Sequence, residues 1–314
     1  MLDTSLSKFP SRGLMLHHFH GEGHNDDRAG SISSSDLENI ILSIGLDNFD
    51  SALEWSEKIK DGARGYRKWC LTFDDGLRSQ FDVAFPVLEK YGLKAFWFVC
   101  SSPYCNEFPR LDIYRRFRYH YFDKVEDFYV EFFDQVSISR RSSDPSYLSW
   151  KGQMQKAFPF YSDLDIRFRY ARDVLLPRAD FEAAVDKMIE MRGICIKDLA
   201  TQLWISREDL VVLHEHGHVL GLHSHDHPSS FARLDTQSQA EQYERNFLFL
   251  KEISGRVYSM AHPCGSYSSF TLDFLESLGI SIGFRSSTSA LGFLPSASPA
   301  LQLPREDVAN FLGR

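Results

Sequence analysis

The stretch KWCLTFDDG, Lys68 to Gly76, is an apolar run that meets two adjacent aspartates and then a glycine. Bounded in this way, it reads as a buried strand with Asp74 and Asp75 at its C-terminal end. Downstream, PVLEKYG (Pro86–Gly92) has the proline start and glycine stop of a short helix, and LKAFWFVCSS (Leu93–Ser102) reads as the next strand. Upstream, GLMLHHFH (Gly13–His20) begins as an apolar strand and ends in histidines, and SSDLENIILSIG (Ser34–Gly45) follows as a helix. In that helix Ser35 and Glu38 have capping-box spacing, Leu37, Ile40, Ile41 and Ile44 make one apolar face, and Gly45 is the stop.

The same alternation returns near the other end of the chain. ISREDLVVLHEHG (Ile205–Gly217) reads as a helix capped by Ser206 with Asp209, and HVLGLHSH (His218–His225) as a strand running into histidines. RVYSMAHPCG (Arg256–Gly265), the helix FTLDFLESLG (Phe270–Gly279) and the strand ISIGF (Ile280–Phe284) complete it. Strands alternating with helices predict an α/β fold with a largely parallel sheet.

Four of these strands end in ionisable or turn residues: His17-His18-Phe19-His20, Asp74-Asp75-Gly76, His223 to His227, and His262-Pro263-Cys264-Gly265. In parallel α/β folds the C-terminal strand ends converge on one face, where catalytic groups gather. Two adjacent carboxylates at a buried strand end repel each other unless a cation neutralises them. A divalent metal removes that cost and leaves the second carboxylate to accept a proton. His223 and His227, four residues apart, have the spacing by which two imidazoles on one helical turn pinch a metal, so His225 is expected to point elsewhere. His214, His216 and His218 sit at a helix end and turn, where imidazoles cap carbonyls or face water. Cys264 as a nucleophile is a competing reading, but no positioned base accompanies it in the sequence.

Composition narrows the classes. The 314 residues are 43% hydrophobic and 25% charged, which suits a folded globular chain. A net charge of -8 argues against a protein that grips nucleic acid, although Arg110 to Arg118 is locally basic. The five cysteines are scattered without a C-x-x-C pair and suggest a reducing compartment. The opening MLDTSLSKFPSRGLML has no basic start or long apolar run, and no stretch is long enough to span a membrane, so a cytoplasmic protein is expected. From about residue 108 to 200 the texture changes: YRRFRYHYFDKVEDFYVEFF is dense in aromatics and arginines. This segment is expected to be an inserted helical subdomain or lid within a single domain spanning residues 1–314.

LTFDDG followed by FPVLEKYGLKAFWFV, then GHVLGLHSHDHP, then AHPCGSYS resembles, in order and wording, the polysaccharide deacetylase family with its NodB homology domain, carbohydrate esterase family 4. The resemblance covers Lys68–Ser102 and Ile205 to about Arg305 and leaves out the insertion. It implies a distorted (β/α) barrel of the NodB type and a divalent metal, zinc first and manganese, cobalt or nickel as alternatives. It also implies Asp75, His223 and His227 as metal ligands, Asp74 as general base, and the backbone N–H of Cys264 as an oxyanion donor. LMLHHFH resembles the family's L-M-Y-H opening strand, which aligns His17 with a histidine sent to the active site as acid or substrate contact. LPRED near Arg305 resembles the L-P-R segment that closes many of these domains.

There are departures from the family pattern. The arginine that in many members stands two residues before the proline of the third motif is Ala261 here, with His262 and Cys264 in place of two aromatics. No histidine follows His262, so the late histidine that serves many members as general acid is missing. Arg305 is a candidate to offset the lost arginine by fixing Asp74 or an anionic substrate group, against a surface ion pair with Glu306 or Asp307. His262 is a candidate substrate contact, and Asp226 a ligand-orienting group or a turn residue.

The activity expected is metal-dependent hydrolysis of an N-acyl group, N-acetyl first, on a small-molecule or lipid-linked amino sugar such as a nucleotide-sugar precursor of surface glycans, with the insertion stacking on sugar and pairing with phosphate. The alternatives are hydrolysis of a formamide, ureide or cyclic imide, and a metal-free carbohydrate-binding relative.

Overall fold

The computed structural model describes residues 12–22, 24, 30–62, 66–139, 142–157, 161–286, 294 and 299–312. The predicted apolar runs become short parallel strands. Arg12–Leu16 forms β1 and Trp69–Phe73 forms β2, paired from Arg12 opposite Trp69 to Leu16 opposite Phe73. Phe96–Val99 is β3, Val219–Leu222 β4, Ser259–Ala261 β5, Ile282–Phe284 β6 and Arg305–Asp307 β7. The strand order is β6-β5-β4-β3-β2-β1-β7, and every pairing is parallel.

The segment that leads into β7 almost closes this sheet on itself. Leu303 N–H donates to Gly283 O at 2.8 Å and Leu303 O accepts from Arg285 N–H at 2.9 Å, while Pro304 O accepts from Gly13 N–H on β1 at 3.2 Å. The result is a distorted (β/α) barrel.

Alternation along the strands sorts the side chains. Leu14, Leu16, Leu71, Phe73, Trp97, Val99, Leu220, Leu222 and Met260 share a cluster with residues of the surrounding helices, and so face outward. Cys70, Phe96, Phe98, Ala261, Ile282 and Phe284 form a second cluster with Trp55, and fill the barrel axis. Space there is limiting: a Cβ built on Gly221 would lie 2.6 Å from both Phe98 and the Ser259 hydroxyl, so glycine is required. Because Cys70, Thr72 and Asp74 share parity, the inward face of β2 runs directly into Asp74.

Helix α1 spans Ser34–Ile44 and α2 Ala52–Lys60; α2 sits at the N-terminal ends of β2 and β3, where Trp55 Nε1 donates to Lys68 O and Ala52 N–H to Lys94 O. The cap of α1 lies two residues earlier than the sequence spacing predicts. Ser33 accepts from Asp36 N–H, and the Asp36 carboxylate accepts from Ser33 N–H at 2.9 Å, which gains helix length and puts an acid in the first turn. Glu38, the expected box partner, instead pairs with Lys90. Helix α3 (Phe85–Tyr91) ends, as expected, on Gly92 in the left-handed region at φ 64°.

The chain divides into two units, one of residues 1–109 and 204–313, holding all seven strands, and one of residues 110–203 with 314. The second unit contains α4 (Arg110–His120), α5 (Val125–Gln135), α6 (Pro145–Ala157), α7 (Asp163–Tyr170), α8 (Arg178–Glu190) and α9 (Ile196–Ala200). Its aromatics are a core: Phe117, Phe128 and Phe132 have no exposure, and Phe168 and Phe181 pack among them. These five rings bury one another and so are not available to stack on sugar. Several arginines are likewise engaged, Arg192 with Glu131 at 2.6 Å and Arg169 with Asp165 at 3.1 Å.

The first unit is completed by α10 (Arg207–Glu215), capped by Ser206 as predicted, α11 (Thr236–Ser254) and α12 (Ser269–Ser277). Among the described residues no helix is long and apolar enough to cross a membrane. None of the five cysteines is in a disulfide.

Candidate metal centre and active site

The loops after β1, β2, β4 and β5 bring together most of the expected residues. Asp75 Oδ1 lies 3.3 Å from His223 Nε2 and 3.3 Å from His227 Nε2, and the two imidazole nitrogens are 3.1 Å apart. Ligands about 2.0–2.1 Å from a tetrahedral ion stand roughly 3.3 Å from one another, so the three donors have the mutual spacing a metal demands. They are the one group of three among the described residues with metal-ligand proximity. Asp75 Oδ1 is buried without a hydrogen-bond partner, a costly state unless a cation meets it. A carboxylate with two imidazoles suits a divalent transition metal, so the residues fit the group the family uses.

The tautomer of His223 follows from its neighbour. Its Nδ1 faces Ala261 O at 2.8 Å, and a carbonyl only accepts, so Nδ1 carries the proton and Nε2 presents a lone pair to the triad. Burial pushes the His227 imidazole down to about 4, in spite of Asp75, and so keeps it neutral. Burial also opposes ionisation of Asp75, but its contacts with the His227 and His223 imidazoles outweigh that push and hold the carboxyl below its usual range.

The expected helical turn between the two histidines is absent. Residues 225–226 form a bend, with Ser224 before it at φ 65° and His227 after it at φ 53°. Asp75 at φ 75° shares this left-handed conformation, so Asp75, Ser224 and His227 are three of the seven non-glycine residues with positive φ among the described residues. Such backbone costs on the order of 1 kcal/mol or more per residue, and its concentration here marks a shape imposed for function.

Asp74 is held separately from the triad. Arg305 forks onto it, with Nη1 donating to Oδ1 at 2.6 Å and Nη2 to Oδ2 at 2.7 Å, while Arg305 Nε donates to Arg285 O at 2.7 Å. Both side chains are almost completely buried, which excludes the alternative of a surface pair for Arg305; Glu306 instead pairs with Arg12 at 3.1 Å. Burial raises the Asp74 carboxyl, but Arg305 and then His223 more than compensate and leave it lowered. Oδ2 is the oxygen that faces the site, 3.5 Å from His17 Nε2 and 3.9 Å from His223 Nε2. The His17 side chain is 31% exposed, so it can meet both Asp74 and an incoming molecule.

Other expectations fare differently. His262 is fully buried: Nε2 donates to Leu301 O at 2.8 Å, the ring stacks on Tyr267, and burial pushes its pKa down to about 3. It is a core histidine and cannot touch substrate. Cys264 is exposed in the turn Pro263–Gly265. His216 pairs with Glu89 at 2.7 Å, and His218, buried, accepts at Nδ1 from Ala95 N–H at 3.0 Å; neither approaches the triad. His225 points away, toward Ser101 and Glu107.

Three polar residues of the site carry no motif. Gln80 donates from Nε2 to His17 O at 2.7 Å and to Asp74 O at 2.5 Å, tying the ends of β1 and β2 together. Gln242 and Asn246 on α11 reach the histidine loop: Asn246 Oδ1 accepts from His223 N–H at 2.9 Å, and Gln242 Oε1 accepts from the N–H groups of His225 and Asp226, each at 3.0 Å. The only signal for the pair is its i, i+4 spacing, which places both on one helix face.

A parallel barrel that gathers two aspartates, two histidines and a buried arginine at its strand ends has the make-up of a hydrolase of the deacetylase type. Residues 61–118 and 194–283 match, with most of the helical unit left out, the model of the polysaccharide deacetylase family. Its members are metal-dependent carbohydrate de-N-acetylases. Among solved structures the fold is similar to the Streptococcus pyogenes deacetylase PplD in complex with acetate, at 14% identity and TM-score 0.54 over 95% of this chain and 91% of that one. It is also similar to IcaB from Ammonifex degensii, at 15% identity and TM-score 0.54 over 94% and 90%, and to a de-N-acetylase from Aggregatibacter actinomycetemcomitans, at 11% identity and TM-score 0.52 over 95% of each. At these identities the likenesses establish the fold. No curated protein matches the chain by sequence.

Proposed function

We propose that this chain removes the N-acetyl group from an amino sugar, with a divalent ion, zinc first, held by Asp75, His223 and His227. The observation that carries the reading is the separation of two buried carboxylates by environment: Asp75 is turned to the imidazoles, while Asp74 is neutralised by Arg305 and keeps one oxygen toward the site. The ion, when bound, supplies Lewis acidity to the acetamide carbonyl and the attacking water. Asp74 Oδ2 accepts the water's proton. His17 donates a proton to the leaving amine, replacing the absent late histidine. The backbone N–H of Cys264, in its left-handed turn, donates to the developing oxyanion. The acetate bound to the Streptococcus deacetylase is the product that such a reaction releases.

The substrate is tested by following acetate release from N-acetylated nucleotide sugars and from oligomers of N-acetylglucosamine, alongside formamides and cyclic imides. Release from a sugar substrate is the expected result; turnover confined to the non-sugar amides sinks the carbohydrate assignment. Metal binding is tested on the purified protein. One equivalent of divalent ion is expected in the wild type and none in Asp75→Ala or His223→Ala, whereas His225→Ala still fills at saturating metal. A wild type that binds no divalent ion leaves a carbohydrate-binding relative as the reading.

A further inference from the structure

The line Ser101, His225, Glu107 has the composition of a hydrolytic triad. Ser101 Oγ lies 2.8 Å from His225 Nδ1, and His225 Nε2 lies 3.0 Å from Glu107 Oε2. It is no nucleophile: Ser101 is 1% exposed and His225 1%, so no substrate reaches the hydroxyl. Glu107, an acceptor when ionised, calls for a proton on Nε2, while Nδ1 and the Ser101 hydroxyl share the second hydrogen bond.

The backbone of His225 is engaged as completely as its ring. Its N–H donates to Gln242 Oε1 at 3.0 Å, and its C=O accepts from Ser102 N–H at 2.9 Å. One residue at the midpoint between His223 and His227 is thus anchored to the loop after β3, through Ser101 and Ser102, to Glu107, and to α11. Glu107 is fixed in turn by Arg245 at 2.9 Å, also on α11. On either side of this residue the chain passes through left-handed Ser224 and His227, a conformation it does not hold by local preference.

We infer that His225 is a positioning residue for the metal site: through Ser101 and Glu107 it pins the middle of the five-residue loop so that His223 and His227 present their Nε2 atoms to one point. This rests on the metal-centre reading proposed above. The loop without the pin relaxes toward ordinary backbone, and the ion must then pay for re-forming it. Outer partners of metal ligands typically alter affinity roughly 10- to 100-fold, which sets the expected size.

The test is a zinc titration of the metal-free protein against a competing chelator, repeated with cobalt to follow its visible spectrum, on the wild type, His225→Ala, His225→Gln, Glu107→Ala and Ser101→Ala. His225→Ala is expected to weaken zinc about 10- to 100-fold while still filling one equivalent at saturation. Glu107→Ala, at a carboxylate whose side chain is 53% exposed, is expected to weaken it several-fold, and His225→Gln, which keeps a donor toward Glu107, to recover part of the loss. Equal zinc affinity in His225→Ala, Glu107→Ala and Ser101→Ala, with only the melting temperature of the metal-free protein lowered, overturns the inference and leaves His225 a stability residue. If His225→Ala does not fold, the other two variants decide alone. A wild type that binds no zinc fails the metal-centre reading itself, a result distinct from equal binding by wild type and variants.

Discussion

Asp74→Asn is expected to bind a divalent ion as the wild type does and to lose turnover by roughly 10²- to 10⁴-fold, the range over which a positioned general base contributes. The ion's three candidate ligands are Asp75, His223 and His227, so removing the charge of Asp74 leaves them in place. The substitution has a second effect. Asn keeps one oxygen to accept from the Arg305 fork, but its NH₂ group then faces the other donor nitrogen, and the buried guanidinium has no counter-charge. Thermal stability of the metal-free form is therefore expected to fall alongside the rate. Kinetics at saturating metal on folded protein separate the two effects: full activity there removes Asp74 from the role of base.

Arg305→Met is expected to have the other large effect, and to show it in the pH profile. Arg305 holds the Asp74 carboxyl below its ordinary range against the upward push of burial. With the guanidinium gone, burial and the neighbouring Asp75 act unopposed by it, the Asp74 pKa rises, and the acid limb of kcat/KM moves to higher pH. The sign is unambiguous: a base whose pKa rises is protonated over a wider acid range, so activity at mildly acid pH falls most. Breaking a buried pair from one side costs about 3–5 kcal/mol of stability. Arg305→Lys is expected to restore part of both, since an ammonium supplies the charge without the two-pronged geometry. An acid limb that does not move in Arg305→Met would show that another group titrates there.

The barrel was legible wherever one residue type per position carries the information. Apolar runs bounded by glycine, aspartate or histidine marked β1 to β6, and serine three residues before an acid marked the start of α10. The cap of α1 is ambiguous in the sequence because three consecutive serines, Ser33 to Ser35, each stand ahead of an acid, and the box that forms is Ser33 with Asp36. The histidine pair was legible as a pair, but its geometry was not: i, i+4 spacing suggests a helix, whereas here two left-handed residues bend the loop. His262 reads like its neighbours at a strand end, yet sequence does not tell whether a side chain after a strand turns to the mouth or back to Leu301. The aromatic-rich insertion was ambiguous for the same reason, because a core and a binding face have similar compositions. Gln80 carries no sequence signal and Gln242 and Asn246 only their i, i+4 spacing, since side-chain amides that brace loops follow no motif.

The closure of the barrel by the segment before β7 also sets an order of events. Arg305 lies 231 residues beyond Asp74, so during synthesis the carboxylate emerges long before the cation that makes its burial tolerable. Until that cation arrives, sealing the mouth would strand an anion in a dry environment, and water must remain around it. The paired, ionised form of Asp74 seen here is therefore complete only when β7 is in place.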